Sequence, residues 1–287
     1  MKKLISIVIV TYNSQKYIEN CLNTLFQFND IGECLEVIIV DNSSQEISNK
    51  MFDFIRTNYK QDIKLIHNYK NGGYGQGNNL GITHASGDII GIMNPDIVHT
   101  QSLFLDVLDK FKNNSNLGML GYKQLGGKNI SFYFRPEYQK PLISPMLMKL
   151  YNKINCFKVQ TMHLSGAYFF TPKSIFEKIG QFDEEFFLYC EESDVTLRLM
   201  NKNYEIRWEP KKSYLHDIDD RGGNSAKSLY FLIQSIQYYC RKFSFDFNMV
   251  LDAYTKDLMI KEKIYSLMGK NTILLNEQKE ILKQFKN

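Results

Sequence analysis

Three short stretches of this chain carry side chains that can do chemistry together: Asn94-Pro95-Asp96, Glu191-Glu192-Ser193-Asp194 and Leu215-His216-Asp217. Asp96 follows the apolar run of residues 89–93. Pro95 has no N–H for a sheet ladder, so the strand must stop there. The Asp96 carboxylate is therefore expected at the carboxyl end of a strand, where open α/β sheets bind ligands. A carboxylate there suits Mg²⁺, which takes one or two carboxylates and completes its shell with substrate phosphates and water. His216 can add a metal or phosphate contact. Glu191, Glu192 and Asp194 crowd three carboxylates into four residues. Their mutual repulsion separates their pKa values, which suits a general base held near a cation. A solvated helix N-terminus, favoured by the macrodipole, is the plainer reading. The flanking Phe186, Phe187 and Tyr189 argue against so wet a setting.

A second group of polar residues reads as a ligand-binding edge. Thr11-Tyr12-Asn13 and Asp41-Asn42-Ser43-Ser44 each follow an apolar run, so both are expected at one edge of the sheet. An Asp there can accept hydrogen bonds from a base or a ribose. Each stretch alone also reads as an Asx turn capping the next helix. Together at adjacent strand ends they favour a nucleotide. The loop Asn71-Gly72-Gly73-Tyr74-Gly75-Gln76-Gly77 permits close backbone approach to a ligand. It is not a P-loop, because no Gly-Lys-Ser/Thr follows.

Those residues need a scaffold. Apolar runs at 4–10, 35–40, 63–66 and 89–93 predict strands, with helices predicted after Ser14, around Met51 and over residues 78–85. This alternation predicts an α/β fold with a doubly wound, mostly parallel sheet. Residues 122–160 mix apolar, basic and aromatic side chains with Pro136, Pro141 and Pro145, and are expected to form a long excursion outside the core. Strand character resumes over residues 162–170 and 204–208. After Gly222-Gly223 the apolar positions 229, 232, 233, 236 and 240 share one helix face. The expected division is a main unit over residues 1–225 and a C-terminal helical extension over residues 226–287.

The bulk composition excludes some classes. The chain has 287 residues and a formal net charge of +4, which is not the footprint of a nucleic-acid binder. Its five cysteines are odd in number and scattered, so neither a zinc site nor a disulfide framework is expected. Reduced thiols suit a cytoplasmic setting. Lys2-Lys3 precedes an apolar run too short for a signal peptide and without a cleavage site. No apolar stretch reaches the length that spans a bilayer.

Taken together, the stretches 6–13, 38–44, 71–75, 78–82, Asn94-Pro95-Asp96, Ser165-Gly166-Ala167 and 182–189 resemble a family 2 glycosyltransferase of the GT-A fold, in its rhamnosyltransferase-like branch. The resemblance covers the chain to about residue 225. It implies inverting transfer of a sugar from a dTDP- or UDP-sugar donor, with Mg²⁺ or Mn²⁺. Thr11, Tyr12, Asn13 and Asp41 would bind the nucleotide, and Asn71 and Gly73 would line the same pocket. Asp96 stands for the last acid of the family's metal-binding Asp-x-Asp motif, Asn94 replaces the first, and His216 would be a further metal or diphosphate contact. The catalytic base is carried over to Glu192, where the family usually has Asp, with Glu191 and Asp194 as neighbouring candidates.

Residues 122–160, with Lys123, Lys128, Arg135, Lys140, Lys149 and Lys153, and the C-terminal helices are read as facing the acceptor. That acceptor is a glycan or a polyprenyl-diphosphate-linked oligosaccharide at the cytoplasmic face of the plasma membrane. A homodimer interface or packed lid is the alternative for this surface. For the whole chain, the alternatives are a sugar nucleotidyltransferase and a silent carbohydrate- or nucleotide-binding scaffold. The first lacks the charged N-terminal loop it would need.

Overall fold

The computed structural model describes residues 2–126, 130–140, 143–216 and 225–286. Its first four strands are β1 (Ile5–Thr11), β2 (Leu35–Asp41), β3 (Ile63–His67) and β4 (Ile89–Met93). They pair in parallel in the order β3-β2-β1-β4. The crossovers are α1 (Gln15–Gln27), α2 (Gln45–Asn58) and α3 (Tyr74–Thr83). Strand β1 shows why both faces are covered. Ile5, Ile7 and Ile9 join one apolar cluster with α1 and α2, while Val8 joins the opposite cluster with Ile82 of α3. Alternation about the strand axis sends successive side chains to opposite layers.

Helix α3 begins earlier than the sequence predicts, taking in most of the glycine-rich stretch. A Cβ at Gly77 would press on Val10, and one at Gly81 would press on Val8 and Val40. These two glycines, one turn apart, let the helix lie directly on β1 and β2.

The second half departs from simple alternation. After β5 (Ile97–His99) and α4 (Phe104–Lys112), β6 (Leu117–Leu125) enters the large sheet. It is followed by β7 (Phe132–Phe134), α5 (Ile143–Lys153), β8 (Met162–Leu164), β9 (Tyr168–Pro172), α6 (Lys173–Lys178), α7 (Glu191–Asn201) and β10 (Glu205–His216). Strand β9 runs antiparallel between β4 and β6, and β10 pairs in parallel with β6. The large sheet is thus mixed, with eight strands in the order β3-β2-β1-β4-β9-β6-β10-β5.

Two sequence expectations are corrected here. Residues 162–170 are not one strand. Ser165-Gly166-Ala167 interrupts them, leaving β8 in a small sheet with β7 and β9 in the large one. Nor is 122–160 an excursion outside the core. Tyr122 is buried within β6, and Phe132 and Met148 join the apolar cluster beneath α7. The run 117–125 lacks a clean period because Gly118, Gly121 and Lys123 interrupt it, yet β9 and β10 flank it on both sides. Lys128, Pro141, Asp217 and Gly222-Gly223 lie outside the described residues.

The C-terminal extension is helical, as expected: α8 (Ala226–Phe243), α9 (Phe247–Leu267) and α10 (Ile273–Lys283). Ser225 and Asp246 cap α8 and α9 by accepting from the Ser228 and Met249 N–H groups, which satisfies otherwise orphaned donors. These helices share an apolar cluster with Phe186, Cys190 and Leu197 around the start of α7. Among the described residues, no helix is long and apolar enough to cross a membrane.

Candidate functional site

A cleft of ≈ 930 Å³ opens at the carboxyl ends of β1, β2 and β4. That volume is in the range of small-molecule and cofactor sites. One wall comes from the ends of β1 and β2. Parallel register sets Thr11 beside Asp41, and the Thr11 hydroxyl donates to Asp41 Oδ1 at 2.8 Å. Asp41 also accepts from Ser43 Oγ (2.8 Å) and Ser48 Oγ (2.6 Å) and is fully buried. It lies beneath the cleft surface and does not line it. Asn13 is exposed beside the cleft but not part of its lining, with φ 52° and its N–H on Ser43 Oγ at 2.8 Å. Thr11 and the exposed Tyr12 do line the cleft.

A ladder of amides, whose linking member the sequence reading left without a role, holds the loop that follows β3. Asn42 donates through Nδ2 to Asn71 Oδ1 (3.3 Å) and the Gly73 carbonyl (3.2 Å), and accepts from Asn68 (2.8 Å). Gly73 has φ 97°, and a Cβ there would overlap the Phe187 backbone. Only glycine suits both demands. The Tyr74 N–H donates to the Phe187 carbonyl (3.1 Å) and its hydroxyl to the Gly166 carbonyl (2.7 Å), tying the loop to the opposite wall.

At the end of β4, the Asn94 N–H donates to the Ala167 carbonyl (2.8 Å), and Asn94 and Pro95 line the cleft. Antiparallel pairing of His216 with Ile97 brings the imidazole beside Asp96. His216 Nε2 and Asp96 Oδ1 are 3.1 Å apart, and both side chains are almost wholly buried. His216 lines the cleft, and its Nδ1 is buried without a hydrogen-bond partner among the described residues. Among those residues no group of three or more His, Cys, Asp or Glu converges as a metal cage. A carboxylate–imidazole pair with an orphaned nitrogen fits Mg²⁺ or Mn²⁺ only in the shared mode, where a bound diphosphate supplies further oxygens.

The third wall is the start of α7. Tyr189 and Cys190 both have positive φ (73° and 69°), and this double left-handed turn swings Glu191 and Glu192 toward the cleft. Glu192 is half-buried against Gly166, whose missing Cβ leaves room for its carboxylate. Burial raises the Glu192 pKa, against the opposing hydrogen bond from its own N–H. Glu191 is buried, with Oε1 unpartnered among the described residues. Burial and then the neighbouring Glu192 push its pKa well up. Burial thus outweighs the macrodipole here, and both acids resist ionisation.

Asp194, expected as a neighbouring candidate base, is turned away. Its Oδ2 takes a double contact from Arg198 (2.5 and 2.8 Å), and its Oδ1 meets Lys242 of α8 at 2.5 Å. A carboxylate with no exposed surface and two cations on it is a structural anchor.

Tyr133 and His163 also line the cleft and stack on each other at 5.9 Å. Burial lowers the His163 pKa to about 4 despite the Leu164 carbonyl. These residues went unremarked in the sequence because they lie on the short β7–β8 sheet, which has too few residues to show a period.

Residues 6–180 match the family model for glycosyl transferase family 2. Among curated proteins, the chain is 27% identical over 208 residues to the low-salt glycan biosynthesis hexosyltransferase Agl10 of Haloferax volcanii. That match covers 70% of this chain and 63% of the relative, so the chain spans less than two thirds of that protein's length. It is 21% identical over 259 residues to rhamnosyltransferase WbbL of Escherichia coli, covering 83% and 94% of the two chains. Among solved structures, the mannosyltransferase PcManGT of Pyrobaculum calidifontis, in complex with GDP-Man and Mn²⁺, superposes with a TM-score of 0.61. That match has 16% identity and covers 84% of this chain and 65% of the other. At that identity the likeness establishes the GT-A fold.

Proposed function

The chain belongs to glycosyl transferase family 2, and we propose that it is an inverting enzyme moving a hexosyl or rhamnosyl group from a dTDP- or UDP-sugar to a hydroxyl of a glycan or lipid-linked oligosaccharide. The observation that carries this reading is one cleft lined by Thr11 and Asn71 on one wall, Asn94 and His216 on the second, and Glu192 on the third. A nucleoside, a diphosphate and a reacting hydroxyl need three such environments in one space.

In this reading, Thr11, Tyr12 and Asn71 contact the nucleoside. The buried Asp41 acts from behind by fixing Thr11 and Ser43, and the exposed Asn13 holds Ser43 through its N–H. Gly73 lets the loop approach closely. Asp96 and His216 would hold Mg²⁺ or Mn²⁺ with the donor diphosphate, where the cation supplies positive charge against the leaving group. Asn94 points the same end of β4 at the phosphates.

Glu192 accepts the proton of the acceptor hydroxyl. The new bond forms from that oxygen to the anomeric carbon as the bond to the diphosphate breaks on the opposite face. One displacement through an oxocarbenium-like state inverts the centre. The raised pKa of Glu192 supports this role, because a base poised nearer neutrality transfers protons more effectively. Five free cysteines suit a reducing, cytoplasmic setting.

The test is release of nucleoside diphosphate from a panel of dTDP-, UDP- and GDP-sugars with Mn²⁺, with NMR assignment of the product anomer. Retention of configuration would sink the inverting mechanism. Release of pyrophosphate from a nucleoside triphosphate would favour a nucleotidyltransferase instead.

A further inference from the structure

A second chamber, of ≈ 350 Å³, lies between β7, α5 and α9. Its wall is mainly apolar, built from Phe134, Pro145, Met148, Ala253 and Tyr254. It is not isolated, because Tyr133 and Gln139 line both this chamber and the catalytic cleft. Tyr254 donates to Gln139 Oε1 at 2.5 Å, so α9 braces the partition between the two spaces. Lys140, Lys149, Lys261 and Asp257 also line the chamber; Asp257 pairs with Lys261, and Lys140 and Lys149 are exposed. Helix α5 leads outward from it with Ile143, Met146 and Leu150 exposed. Their i, i+3, i+7 spacing puts them on one helix face.

We propose that this chamber is the aglycone subsite, taking an apolar chain joined to the acceptor sugar through phosphate or diphosphate. The inference rests on the transferase reading above, selects the lipid-linked acceptor of the two classes it allows, and gives its apolar chain a place. Three features select that chemistry. A mainly apolar chamber favours a hydrocarbon over a polar glycan. Lys140 and Lys149 at its margin attract phosphate as point charges. The shared wall at Tyr133 and Gln139 lets a sugar attached to that phosphate reach the cleft that Glu192 lines. The outward apolar face of α5 gives the rest of the chain a surface to follow.

The experiment uses the full chain with farnesyl diphosphate as probe, and inorganic diphosphate and UDP as controls, read by calorimetry. Farnesyl diphosphate should bind with UDP already present, and inorganic diphosphate should bind at least about tenfold more weakly. Ala253→Trp, which fills the chamber, should weaken the probe roughly tenfold and leave UDP affinity unchanged. Lys140→Glu with Lys149→Glu, both on exposed positions, gives a second arm if the Trp variant fails to fold. It should weaken the probe severalfold and make its binding less sensitive to salt. Competition between the probe and UDP, equal binding of inorganic diphosphate, no binding of the probe, or binding indifferent to the variants would each overturn the subsite. If the probe binds and responds to the variants but no nucleotide sugar binds or turns over, the chamber stands and the transferase reading fails.

Discussion

Gly166 faces Glu192 so closely that any side chain at residue 166 would occupy the space of the Glu192 carboxylate. The same glycine accepts the Tyr74 hydroxyl at its carbonyl, so one residue joins the donor-side loop to the α7 wall. The position of the proposed base is therefore set by the absence of a side chain 26 residues earlier.

Gly166→Ala tests that relationship. The methyl group must push the Glu192 carboxylate aside by about 1 Å, and a displacement of that size costs roughly 100-fold in catalysis. Turnover should fall by that order while nucleotide affinity, read by calorimetry, stays unchanged. Full turnover in the Ala variant would mean that Glu192 does not need this position.

Glu192→Gln keeps the shape and removes the base. General-base loss costs about 10²–10⁴ in rate, and UDP or dTDP binding should persist. In the parent protein, kcat/KM should rise with pH along a limb centred above the ordinary carboxylate value of about 4.3, because burial raises the Glu192 pKa and the working form is deprotonated. The Gln variant should lose that limb. Its survival would assign the titration to another group.

Glu191→Gln is expected to stabilise the fold at neutral pH. Burial raises the folded-state pKa of Glu191 above its unfolded value. Between those two values the folded chain binds more protons than the unfolded chain, so stability falls as pH rises. Gln removes that penalty. The Tm advantage of the variant should be small near about pH 4 and larger near about pH 8. An advantage independent of pH would refute the buried-acid account.

Asp194→Ala should unfold the protein more readily without acting on the proton transfer itself. It leaves the largely buried Arg198 guanidinium without the wholly buried carboxylate it pairs with, while the more open Lys242 keeps its second partner, Asp183. Breaking such an arrangement from one side costs about 3–5 kcal/mol. Denaturant titration should show a loss of that order, and activity per folded molecule should remain near the parent value. A stable but inactive Asp194→Asn variant would return Asp194 to the list of candidate bases.

Asp96→Asn and His216→Ala should each weaken Mn²⁺ binding measured in the presence of UDP. In the absence of nucleotide, even the parent protein should hold Mn²⁺ weakly, because among the described residues the site brings together one carboxylate and one imidazole, Asp96 and His216, and no larger cluster. Tight stoichiometric Mn²⁺ without nucleotide would contradict this shared-site account.

The sequence alone determined the parallel half of the sheet. Strands β1, β2 and β4 are mainly apolar runs buried on both faces, with Ser6 and Glu36 as the interior exceptions, and such a strand needs no partner to be recognised. The residues at their carboxyl ends followed directly, since a strand end fixes where its next side chains emerge. The C-terminal helices were legible for the same reason, through a face repeating every turn.

Tertiary structure decided the remainder. Strand β6 carries too many glycine and polar interruptions to show a period, and only its pairing with β9 and β10 makes it a strand. His216 and Asp96 stand 120 residues apart and meet because β10 returns antiparallel to β5. The acids of α7 look alike along the chain. Helical geometry directs Glu192 to the cleft, buries Glu191 and hands Asp194 to Arg198 and Lys242. Local pattern reports what a residue needs from its layer, and which neighbours supply it depends on chain segments that no local pattern contains.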